Sequence, residues 1–242
     1  MKVTVTGAAS GIGKATVLEL LDMGAEVLAV DLPNSNLDYL VDSKGEKLFA
    51  DVADQDSRNM IIDKSVGFDG LVNAAGKIET KKLMDYSISD LRELFMVNFE
   101  SAWDLTSKIG ATMPTGGSIV NISSAGAKIV TNSNVGPYSA TKAAILSMTR
   151  TFSYEFAPRG IRVNAICPGL IETPMQDKVN NDLALSQGIS LQEIVGKRVE
   201  LIPMKRFGTS AECARIIIFL LSENSSYITG QSLNVTGGWV TH

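Results

Sequence analysis

Apolar and polar positions along this chain keep two rhythms in turn. Short, nearly continuous apolar runs rich in β-branched residues read as strands at 3–7 (VTVTG), 26–32 (EVLAVDL), 47–54, 68–76, 117–124 (GSIVNISS), 161–169 (IRVNAICPG) and 231–238. Between them, apolar residues recur at three- and four-residue spacing, which predicts helices over 12–23, 55–66, 89–109, 138–158 and 210–223. Gly24 stands where the first helix needs a C-cap, and Pro158 with Gly160 ends the long one. Residues 174–204 carry two further short amphipathic patterns joined near Gly188, a mobile lid or a surface hairpin. No repeat, low-complexity tract or linker interrupts the alternation, so 1–242 reads as a single domain.

Strand–helix alternation implies parallel β-α-β units with right-handed crossovers. Strands apolar on both sides imply helices on both faces. The expected fold is α/β: a doubly wound, mostly parallel, seven-stranded sheet. Such sheets bind ligands beyond the carboxyl ends of their strands. There the chain places TGAASGIG, Asp31, the pair Asp51–Val52, NAAG, a pair of serines and CPG.

Composition narrows the chemistry. The 242 residues are 45% apolar with a net charge of −4 and no basic stripe, which argues against nucleic acid as a partner. No apolar run reaches membrane-span length, and MKVTVTGAASGIG lacks the features of a secretory leader. Cys167 and Cys213 stand far apart in apolar contexts, as reduced packing residues do, so a cytoplasmic protein is expected. The one histidine is His242, which leaves nothing to build a histidine metal site or a Ser–His–Asp triad.

TGAASGIG spaces Gly7, Gly11 and Gly13 as G-x-x-x-G-x-G between a strand and a helix. Bare backbone there can approach a pyrophosphate, with Ser10, Ile12 and Gly13 at the positive end of the helix. Asp31, at the end of the second strand, is placed to accept hydrogen bonds from an adenosine ribose and to repel a 2′-phosphate. No Arg or Lys stands at Ser10 or directly after Asp31, so NAD is expected over NADP. Asp51 and Val52 can flank the adenine, although Asp51 alone could be a turn residue. Asn73, Ala74 and Gly76 are small enough for a dinucleotide to lie against.

Tyr138 and Lys142 lie four apart on one helix face. A phenol titrates near ~10, too high for a base at neutral pH. Bringing it to ~7 takes roughly 4 kcal/mol, about what one ammonium ~4 Å away supplies at an effective dielectric near 20. The pair thus reads as a proton-transfer device for a carbinol.

In order along the chain, TGAASGIG, NAAG, VNF with Asn98, ISS, YSATK and CPG resemble the short-chain dehydrogenase/reductase family, in its compact branch with a Rossmann-type domain. The resemblance covers essentially the whole chain. It implies hydride transfer between NAD(H) and a small-molecule secondary alcohol or ketone, with Tyr138 as general acid/base and Lys142 holding the nicotinamide ribose. It assigns the substrate oxygen to Ser124, with Ser123 as the fallback. Asn98 is implied to hold a helix kink and a proton-relaying water. Pro168, Gly169, the backbone of Ile171 and the hydroxyl of Thr173 resemble the family's contacts to the carboxamide, although Thr173 could simply cap a helix. A dinucleotide-binding sensor that has lost catalysis is the alternative function. Family members pair long helices around twofold axes. Leu94, Phe95, Phe99, Trp103, Ile145, Met148, Phe152 and Phe156 widen the apolar faces of 89–109 and 138–156, so a homotetramer is expected, unless one subunit buries them all.

Overall fold

The structure, a computed structural model, describes residues 1–40 and 44–242. Seven parallel strands form one sheet in the order β3-β2-β1-β4-β5-β6-β9. They are β1 (Lys2–Thr6), β2 (Glu26–Asp31), β3 (Gly45–Phe49), β4 (Gly70–Asn73), β5 (Ser118–Ile122), β6 (Arg162–Pro168) and β9 (Ser232–Val235). The order reverses direction between β1 and β4, and it is there that strand ends splay to leave a crevice.

Alternation along each strand assigns its two faces. Val3, Val5, Val27, Ala29 and Val72 point to one side, where they pack with Val17 and Leu20 of α1 (Gly11–Asp22) and Ile217 and Leu220 of α8 (Ser210–Leu221). Leu28, Val30, Leu71 and Ile119 point to the other. There they meet Ile61 of α2 (Gln55–Lys64), Leu105 and Ile109 of α4 (Ser101–Thr112), and Met148 and Phe152 of α5 (Gly136–Phe156). Every residue of β5 and β6 is buried, including the polar Ser118, Asn121, Arg162 and Asn164, as strands covered by helices on both faces are.

Three elements depart from expectation. Strand β3 ends at Phe49 rather than running to 54. Asp51 accepts the Ala53 N–H at 2.8 Å and Asp54 that of Ser57 at 2.8 Å, so their carboxylates form a turn and the α2 cap instead of extending the strand. The helix expected over 89–109 is α3 (Ile88–Phe95), a π-helical turn at Met96–Glu100, and α4. Finally, β7 (Ile171–Glu172) pairs with β8 (Gly208–Thr209) in a two-stranded ladder too short to leave a pattern.

Residues 174–204 do contain two helices, α6 (Pro174–Gln187) and α7 (Leu191–Glu200). Gly188, at φ +65°, turns the chain between them. They close on a small core of Val179, Leu183, Ala184 and Ile194. Of the eight apolar residues read as surplus on the long helices, Leu94, Ile145, Met148, Phe152 and Phe156 are buried within the subunit. Trp103 remains 41% exposed, in the middle of an aromatic row running through Phe95, Phe99, Trp103, Phe152 and Phe156. Among the described residues no helix is long and apolar enough to cross a membrane.

Candidate active site

A cleft of about 1050 Å³ opens over the carboxyl ends of the strands. Its floor at one end is the turn from β1 into α1. Gly7 and Gly11 have φ of +67° and +52° there. A Cβ on Gly7 would lie 2.9 Å from the Ala74 carbonyl oxygen, and one on Gly13 would lie 2.0 Å from the carbonyl oxygen of Gly7. Only glycine folds this loop. Ser10 precedes α1 without capping it through its side chain, so the first-turn N–H groups face the cleft as an anion cradle.

Asp31 lines the cleft at the tip of β2. Its carboxylate accepts the N–H groups of Ala9 and Leu32, both at 2.8 Å, and the Ser35 hydroxyl at 2.6 Å. These bonds fix it against the glycine loop and leave lone-pair capacity for a further donor. Asp51 and Val52 line the same end. Bare backbone, a helix N-terminus and a fixed carboxylate in this order fit a dinucleotide.

At the other end β5 delivers two serines with different fates. Ser123 is buried and donates to the Lys142 carbonyl at 2.8 Å. Ser124 stays partly exposed in the cleft, accepts the Gly126 N–H at 3.1 Å and hydrogen-bonds the Tyr138 side chain. Lys142, one helical turn after Tyr138 on α5, sends its Nζ to the Ile122 carbonyl at 2.9 Å and lies 5.7 Å from the Tyr138 ring centre. The electrostatics differ from the sequence reading. Burial dominates both groups, holding the phenol up at about 12 and the lysine down at about 8. The influence pulling the phenol down is the Ser124 hydrogen bond, not Lys142. At pH 7 the phenol is therefore neutral, and the lysine still carries its proton but holds it less firmly than an exposed one.

Asn98 sits in the π-helical turn, 2% exposed and behind the cleft wall. Its Oδ1 accepts the Lys77 N–H at 2.7 Å, while its Nδ2 donates to the Lys77 carbonyl at 2.9 Å and to Thr141 Oγ1 at 3.0 Å. It ties the segment after β4 to α5 beside Lys142, which makes it a positioning residue. Gly76 stands between them, since a Cβ there would lie 3.3 Å from Asn98 Oδ1 and 3.4 Å from Lys142 Nζ.

Asn73 stands apart from the expected cofactor wall. It does not line the cleft but donates below the sheet ends to Thr106 at 3.0 Å and Asn121 at 2.8 Å. As the last residue of β4 it points into the layer beneath, while Ala74 and Gly76 reach the cleft. Pro168, Gly169, Ile171 and Thr173 line the wall opposite the glycine loop, and a Cβ on Gly11 would touch the Thr173 methyl at 3.2 Å. Thr173 also caps α6, accepting the Gln176 N–H at 3.2 Å. Trp239 and Arg198 line the cleft as well. Neither belongs to a motif, and only the packing of remote segments brings them in.

Residues 7–240 match the family model described as enoyl-(acyl carrier protein) reductase. The chain is 38% identical to a 3-oxoacyl-[acyl-carrier-protein] reductase of Thermotoga maritima over 98% of this chain and 96% of that one. A short chain dehydrogenase family protein from Francisella tularensis superposes with a TM-score of 0.90 at 29% identity, covering 98% of both chains. A putative NAD(P)-dependent gluconate 5-dehydrogenase from Beutenbergia cavernae, solved with bound NADP, does so at 0.90 and 32%, covering 98% and 96%. Fold, cleft and sequence agree over nearly the whole length, and the chain belongs to the short-chain dehydrogenase/reductase family of oxidoreductases.

Proposed function

We propose that this protein is an NAD-dependent dehydrogenase/reductase that interconverts a secondary alcohol and a ketone, with Tyr138 as general acid/base. The observation that carries the reading is the meeting of Ser124, Tyr138 and Lys142 in one cleft with the glycine loop. The nicotinamide, when bound, supplies the hydride acceptor or donor. The chain's own residues handle the rest. Ser124 holds the substrate oxygen, Tyr138 takes the hydroxyl proton in oxidation and returns it in reduction, and Lys142 carries the compensating charge. Asn98 and Thr141 set the position of Lys142 from behind. Positive charge on the oxidised ring would draw the phenol down from its resting value, coupling base strength to coenzyme binding.

The preference for NAD rests on Asp31 and on the absence of a cation at Ser10 or after Asp31. The gluconate dehydrogenase relative was solved with NADP; in this chain the reading for NAD stands on the Asp31 carboxylate. A homotetramer in the cytoplasm, acting on a small molecule and binding neither membrane nor nucleic acid, completes the reading. The purified chain should reduce NAD with members of a panel of secondary alcohols. Coenzyme binding with no turnover across that panel and the matching ketones would favour a dinucleotide sensor instead.

A further inference from the structure

Five cationic side chains line the cleft: Lys77, Lys142, Lys178, Lys197 and Arg198. Three are paired with carboxylates. Lys77 is bonded to Glu93, Lys178 stands 3.6 Å from Asp182, and Lys197 stands 3.0 Å from Glu193. Lys142 belongs to the proton-transfer pair. Arg198, partly buried on α7, has no carboxylate within ion-pair distance among the described residues. The one acceptor its guanidinium finds is Asn180 Oδ1 on α6. Asn180 is 3% exposed and also receives the Gln176 amide at 3.2 Å, so the guanidinium is held in place by a neutral partner. A guanidinium carries five N–H donors, and one neutral acceptor leaves most of them unanswered. Burying part of an uncompensated cation costs free energy that a ligand anion would recover. Around it Val179, Leu183 and Ile194 give the cleft an aliphatic wall.

We propose that Arg198 is an anion subsite for the substrate, which is then a secondary alcohol or ketone bearing a carboxylate on a short aliphatic chain. The planar fork matches a carboxylate with two parallel hydrogen bonds, and the aliphatic wall accommodates the carbons between that group and the reacting carbinol. The inference rests on the hydride-transfer reading above, and the test separates the two.

Hydroxy acids, such as 3-hydroxybutyrate and its chain-length homologues, are assayed beside their methyl esters with saturating NAD. The wild type should use the acid at least tenfold better in kcat/KM. Arg198→Leu should lower kcat/KM for the acid by ten- to a hundredfold, mainly through KM, and bring the acid-to-ester ratio toward one. Arg198→Lys should restore part of that ratio. Circular dichroism and coenzyme titration on each variant confirm that fold and NAD affinity persist. Esters used as well as acids, or an equal loss on both in Arg198→Leu, would overturn the subsite and leave hydride transfer standing. A loss confined to the KM for NAD would assign Arg198 to the coenzyme's phosphates and also overturn it. If no acid, ester or corresponding keto compound is turned over while NAD binds, both the subsite and the hydride-transfer reading fail.

Discussion

Lys142 bears a charge in the cleft that folding alone does not favour. Burial holds Lys142 at about 8, against an ordinary value of 10.5, so at pH 7 the fold carries an ammonium it would sooner not charge. The sign follows from linkage: stability is lost below pH 8, and recovered as pH climbs from 8 toward 10.5. Lys142→Met should therefore abolish turnover yet melt higher at pH 7, by up to about 3 kcal/mol less roughly 1 for the hydrogen bond Ile122 loses. That gain should fade by pH 10.5, which paired melting curves at the two pH values would reveal. Tyr138→Phe keeps the ring and removes the proton, so NAD should bind while turnover drops below a few per cent, as stopped assays on the purified variant would show. With Tyr138 at about 12 at rest, oxidation should quicken and reduction slow as pH rises. At the opposite end, Asp31 would face a 2′-phosphate as a like charge. At ~4 Å and a dielectric near 20 that repulsion is about 4 kcal/mol, and after screening ~2–3 kcal/mol still gives roughly 30- to 150-fold discrimination. Asp31→Ala should narrow the gap by improving NADP use, measured as kcat/KM with each coenzyme. Wild type favouring NADP would overturn the assignment.

At the scale of elements, the π-helical turn at Met96–Glu100 is where the chain trades helical regularity for position. Asn98 gives up no hydrogen-bonding capacity there, because Lys77 and Thr141 absorb it. Asn98→Ala would strand the Lys77 amide and carbonyl at a cost of about 2 kcal/mol, a fall of roughly 4–8 °C in Tm for a chain this size. Calorimetry would give that fall, and kcat should drop further than coenzyme affinity, since Lys142 loses its support. The sequence announced an asparagine in an apolar helix but not the extra residue per turn, because a π turn shares the periodicity of its flanks over so short a span. Strand β3 was misplaced for a related reason: Asp51 and Asp54 follow an apolar run, yet their carboxylates bond the backbone ahead of them and end it. Asn73 shows the limit at strand tips, where the facing of one residue depends on the strand's exact end. What was legible, from the glycine loop to Tyr138 and Lys142, was legible because tight turns and one-turn helical spacing are local constraints.

For the whole molecule, the parallel seven-stranded sheet and its two helical layers followed from alternation, whereas the order of the strands and any surface for a second copy did not. Most apolar residues read as surplus over 89–109 and 138–156 are core, and the expectation of a homotetramer is left with Trp103, the half-open ring in the middle of the aromatic row. Light scattering at micromolar concentration should return about 104 kDa, four times 25.9 kDa, and Trp103→Glu should shift it toward smaller species. A 26 kDa particle from the wild type would contradict the tetramer. The β7–β8 ladder carries a different consequence. It pairs Ile171 with Gly208 and Glu172 with Thr209, and Arg206 grips Glu212 just beyond it. Residues 173–207 thus leave and re-enter the body at adjoining points, with their loop-closure entropy already met by the ladder rather than by their own packing. The excursion is an interchangeable part. A relative's segment grafted between the same two anchors would bring a new substrate preference to an unchanged proton relay, and lineages could exchange specificities there without rebuilding the sheet.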